Sequence, residues 1–188
     1  EVSPSARFVF LIDEAHNLPD RAREMYSSTL TRDAFKEIEN AFPSRDSYTH
    51  ACQEVIKRFD ELYELEKAEK QEIDGDVYGF YINTQLPEDL TEPFELFCEE
   101  CRALFKRDLE DDLVNQLYLD SKKLLKIAEI YDKRFTMYIE AINDSVKLRI
   151  MCLDPAFMLN NLMKNGISTI LFSATLTPLE YFTDVLGC

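Results

Sequence analysis

The 188-residue sequence has no tryptophan and only four glycines. So few glycines exclude collagen-like and glycine-rich low-complexity chains and argue against a sandwich of short strands joined by tight turns. Basic residues are also scarce: 21 Lys and Arg stand against 36 Asp and Glu, a formal net charge of -15. That balance excludes a surface that binds nucleic acid broadly through its phosphates, because such binding needs clustered cations. A local basic track remains compatible with it. No apolar run approaches the length of a membrane span, and no basic n-region precedes an apolar h-region. No membrane partner and no secretory route are therefore expected. The cysteines number five, an odd count without a disulfide-like rhythm. A reducing cytosol is the expected compartment, of bacterial type or within the nucleoid, and Asn143-Asp144-Ser145 reads as an incidental sequon. Also missing is any Gly-x-x-x-x-Gly-Lys-Ser/Thr phosphate loop.

What is present is a chain rich enough in apolar residues, 46%, to bury a sizeable core. Arg7 to Ile12 is a continuous apolar run, the pattern of a strand covered on both faces. Pro19 fits the first turn of a short helix, and Thr31 suits the cap of another reaching about Phe42. Ser44 or Asp46 is expected to cap a long helix to about Gln71, with Tyr48, Cys52, Val55, Phe59 and Leu62 as its apolar stripe. Asp74-Gly75-Asp76 breaks it, and Val77 to Ile82 reads as a short strand. Phe94, Phe97, Cys98, Cys101, Leu104 and Phe105 mark another helix. Asp120-Ser121 is expected to open a further one running through Tyr131, Phe135 and Tyr138 to Ile142. Val146, Leu148, Ile150 and Cys152 then alternate as a strand. Asp154-Pro155 starts a helix, which Gly166 is expected to end in the left-handed conformation. Ser168 to Phe172 is a second buried strand, Thr177-Pro178-Leu179-Glu180 resembles a capping box, and Gly187 closes the last helix.

Two strand ends carry chemistry. Phe8 to Ile12 runs into Asp13-Glu14-Ala15-His16. In a parallel α/β sheet the carboxyl end of a strand opens onto the ligand crevice. There Asp13 suits a Mg²⁺ holder bridging phosphates, and Glu14 suits the base that orients or deprotonates water. Without more context, an acidic first turn of a following helix explains the same residues by the dipole. The second end is Ser173-Ala174-Thr175, within LFSATLTP.

Asp-Glu-Ala-His is the box of the DEAH helicases of superfamily 2, and Ser-Ala-Thr after a second buried strand resembles their third motif. With most of the chain lying between the two, the sequence resembles the XPD/DinG-like iron–sulfur DNA helicases. There a helical arch is inserted into the first motor domain between these motifs. Leu153-Asp154-Pro155 and SATLTP look like the DinG branch. The resemblance implies a fold that is mainly α with a small β component, a helical arch-type insertion flanked by strands of an α/β helicase motor domain. Its expected parts are a motor strand with the DEAH box over 1–17, the arch over 18–145 and the return to the motor over 146–188. It implies an excised piece of an ATP- and Mg²⁺-dependent helicase that moves, typically 5′ to 3′, on single-stranded DNA. Asp13, Glu14 and His16 are then the catalytic residues, and Ser173, Ala174 and Thr175 couple ATP to DNA. The phosphate loop and a 4Fe-4S cluster with its four cysteines are implied upstream. The piece alone is expected to be inactive.

Other candidates have plainer readings. Cys98 and Cys101 share an apolar helical stripe and lack a second pair at zinc-finger spacing, so they read as core, as do Cys52, Cys152 and Cys188. His50 reads as a surface side chain. Tyr78, Phe80 and Tyr81 suit base stacking as well as core, and Lys122 and Lys126 sit on a weak basic stripe with Lys123, Lys133 and Arg134. These are candidate DNA contacts. The acidic balance favours an alternative use of the insertion, as a docking platform for protein partners. An unrelated P-loop ATPase with a helical insertion is a further alternative.

Overall fold

The computed structural model describes residues 8–41, 47–65, 71–73, 76–106 and 111–188. The chain forms two compact units, one from residues 1–26 and 152–188 and the other from 27–151. The fold is mixed α/β.

In the first unit, β1 (Val9–Ile12) pairs in parallel with β7 (Ser168–Leu171), Ile12 beside Leu171. Parallel strands need a crossover, and here it includes the whole second unit. Helices α1 (Leu18–Met25), α6 (Ala156–Met163) and α7 (Leu179–Leu186) bury Ala22, Leu159 and Leu186, and Leu171 packs against that cluster. The expectation of strands covered on both faces is corrected: Leu11 is 68% exposed and Ile170 50%. Among the described residues only one face of this two-stranded sheet is covered by helices, so alternate apolar residues stay bare.

Three local expectations also change. Gly166 does not have a positive φ; its place is steric, since a Cβ there would lie 3.0 Å from the Phe10 ring. The capping box does not form, because Pro178 is itself the extended N-cap of α7 and no side chain caps the helix. Asp154 stands one residue before the N-cap of α6, which is Pro155, and its carboxylate accepts from the Ala156 N–H at 3.0 Å. Gly187 closes α7 at φ 69°, as expected.

The second unit holds β2 (Ser28–Thr31), α2 (Arg32–Ala41), α3 (Ser47–Leu65), β3 (Gln71–Ile73), β4 (Asp76–Asn83), α4 (Glu92–Phe105), α5 (Asp112–Glu129), β5 (Phe135–Ile142) and β6 (Ser145–Cys152). Its sheet has the order β2-β6-β5-β4-β3. The β content therefore exceeds the expected small component. Helix α5 starts at Asp112, not at Asp120; the Asp111 carboxylate caps it, accepting from the N–H groups of Leu113 and Val114. It ends at Glu129, and the expected helical face Phe135–Ile142 is a strand. Phe135, Met137, Ile139 and Ala141 are its buried alternate residues. Gln71 likewise belongs to a strand rather than to the end of α3. The expected caps Ser44 and Asp46, the helix tail 66–70 and the break at Asp74-Gly75 lie outside the described residues.

The helical side of this core is aromatic. Phe35 of α2 is fully buried and meets Phe97 at 5.2 Å edge-on, Phe59 at 6.0 Å and Phe94 at 6.1 Å. Such offset and edge contacts suit the ring quadrupoles and fill the space among α2, α3 and α4. Arg32 is nearly buried, and its guanidinium donates to the Asp60 carboxylate and the Asp144 carbonyl. The cation is thereby paired and hydrogen-bonded, which its burial requires.

Candidate nucleotide site

The first unit brings together two motifs that are far apart in sequence. The parallel ladder continues past the strands: the Phe172 N–H donates to the Ile12 carbonyl at 3.1 Å, and the Ala15 N–H to the Phe172 carbonyl at 3.2 Å. Both motifs thus leave the carboxyl ends of adjacent parallel strands.

The turn after β1 is sharp. Glu14 is left-handed, φ 51° and ψ 41°, a conformation costing a non-glycine residue about 1–2 kcal/mol. Its N–H donates to Asp13 Oδ1 at 2.8 Å, and its carbonyl accepts from the Asn17 N–H at 3.0 Å, closing a short 3-10 turn over Ala15–Asn17. Ala15 is fully buried and anchors this turn. The two acids before it, Asp13 and Glu14, stay exposed.

Ser173 is the junction. His16 Nδ1 lies 2.7 Å from Ser173 Oγ and 3.1 Å from Glu14 Oε2. The Ser173 hydroxyl donates to Glu14 Oε2 at 3.3 Å, and the Thr175 N–H donates to Ser173 Oγ at 3.3 Å. One proton arrangement satisfies all four groups: His16 Nδ1–H donates to the serine oxygen, and the serine proton points at the carboxylate. The Glu14 side chain is thus held by a hydroxyl and an imidazole, while Asp13 faces solvent. Ala174 is exposed on the turn and makes no side-chain hydrogen bond. Glu14, His16, Ser173 and Thr175 therefore converge into a polar cluster suited to holding a carboxylate, with Asp13 beside it and bonded only to the Glu14 N–H.

The remaining candidates are elsewhere. Tyr78 and Phe80 share one face of β4, whereas Tyr81 is paired with Ile139, which is buried on the other. Tyr81 is therefore separated from the other two. Lys122 and Lys126 lie on α5, which packs against β2, α2 and α4, not on the strand that carries the aromatics. The wider basic stripe does not exist as a helical face, because α5 ends before Lys133, and Arg134 is bound to Asp132 at 2.9 Å. His50 is exposed beside Glu54. Cys98 and Cys101 are fully buried free thiols. Burial pushes the Cys98 thiol up to about 11 and that of Cys52 to about 12, so neither is a thiolate near neutrality. The alternation in FTMYIEAI marks the strand that takes the place of the expected helix, but the same residues also fit a helical stripe.

No family model matches the chain. Among solved structures, one described as an XPD helicase is similar over 95% of this chain, at 22% identity and a TM-score of 0.53. The fold resembles part of an XPD helicase. A second, described as the structure of S. tokodaii Xpd4, matches over 90% of this chain at 18% identity and a TM-score of 0.46. This chain spans 29% of the first structure and 33% of the second. At these identities the likeness to the XPD helicase is one of fold. It covers both units of the chain rather than the first alone.

Proposed function

We propose that the chain is the part of an ATP-dependent DNA helicase that runs from the acidic turn to the Ser-Ala-Thr turn. In this reading unit 2 is the arch that guides the translocated single strand. The observation that carries the reading is the junction of Glu14, His16 and Ser173 at the ends of two parallel strands. The helicase-like fold supports it.

Each side chain then has a role. Glu14 accepts the proton of the attacking water, and His16 and Ser173 hold its carboxylate in place. Ser173 also receives the Thr175 N–H, so a shift of the Ser-Ala-Thr turn displaces Glu14. That gives strand movement a route to the hydrolytic group. Asp13 fits a Mg²⁺ ion: it is an exposed hard-oxygen donor with one oxygen occupied by the Glu14 N–H, and this metal needs only one or two carboxylates besides phosphate and water. When bound with ATP, the ion would neutralise charge on the phosphates. The nucleotide needs a phosphate cradle beyond these residues, because the chain has no phosphate loop. The 4Fe-4S cluster that the resemblance implies is assigned in this reading to cysteines outside these 188 residues.

The experiment is strand separation by the intact parent enzyme. ATP-driven unwinding of a tailed duplex is expected, lost when residues 27–151 are replaced by a short linker. Unwinding that survives this replacement would favour the docking-platform reading, which the acidic charge suits. A parent that separates no strands with ATP would sink the helicase assignment.

A further inference from the structure

We draw no further inference here: the strongest candidate, the exposed apolar patch of Tyr78, Phe80 and Ile82 on the outer face of the sheet in unit 2, carries none, because nothing in the structure shows what covers it.

Discussion

Replacing Ser173 with alanine removes the hydroxyl through which the second motif meets Glu14 and His16 of the first. Four polar contacts are lost: to His16 Nδ1 at 2.7 Å, to Glu14 Oε2 at 3.3 Å, from the Thr175 N–H at 3.3 Å and with Thr175 Oγ1 at 3.4 Å. A neutral hydrogen bond contributes about 0.5–1.5 kcal/mol net, and those open to water fall at the low end. Glu14 is 58% exposed and His16 31%, so both contacts are solvent-competed. The short His16 contact should dominate, and Ser173→Ala should cost the first unit about 1 kcal/mol. The local readout is hydrogen exchange at the Ala15 and Phe172 amides, which join the two strand ends. A cost of this size speeds exchange about fivefold where opening is sub-global. In a double-mutant cycle His16→Ala and Ser173→Ala should couple by about 0.5–1 kcal/mol. Strictly additive effects would refute the junction, because two side chains that share a hydrogen bond cannot be removed independently. Unchanged exchange at both amides in Ser173→Ala would refute it as well.

Other expectations follow from packing and burial. Gly187→Ala should destabilise more than Gly166→Ala in thermal unfolding, because its Cβ would lie 2.3 Å from the Ala156 carbonyl oxygen at a positive φ. At Gly166 the nearest atom is a ring carbon at 3.0 Å, and overpacking of that kind costs about 1–3 kcal/mol; the opposite ranking would contradict the geometry. Phe35→Ala should cost about 3–5 kcal/mol in urea unfolding of the second unit, since the ring is fully buried among Phe59, Phe94 and Phe97; a loss near zero would mean the aromatic core is not assembled. For the buried thiols the sign is set by burial, which raises Cys98 from 9.0 to about 11. The unfolded chain then releases this proton first, so stability should fall as pH rises from 9 towards 11, and Cys98→Ala should flatten that fall.

The strand ends were legible because their signal is local. An apolar run stopped by Asp13-Glu14 and another stopped by Ser173 each read correctly as strands with polar ends, and Pro19, Asp154 and Gly187 punctuated the helices around them. Their pairing was not legible from either run alone; it needed the Ile12–Leu171 register and the motif resemblance. Of the sheet of unit 2, β4 and β6 were legible from Val77–Ile82 and from the alternation Val146–Cys152, whereas β2, β3 and β5 were not. Ser28–Thr31 has too few apolar residues to stand out, and Phe135–Ile142 satisfies both the helical and the extended period. Gly166 follows the commonest habit of its residue type in the sequence reading, whereas here its φ is not positive and a Cβ would stand 3.0 Å from the Phe10 ring. Long-range contacts decide such cases, and no window of sequence contains them.

The central claim is that Glu14, clamped by His16 and Ser173, is the hydrolytic carboxylate of the parent enzyme's nucleotide site. Its most direct test is steady-state ATP turnover by the intact parent, with and without single-stranded DNA, in the wild type and in Glu14→Gln. Loss of a positioned base costs about 10²–10⁴ in rate. The account predicts a fall of that order in DNA-stimulated turnover, with nucleotide binding retained. Turnover within a few-fold of wild type in Glu14→Gln would contradict it.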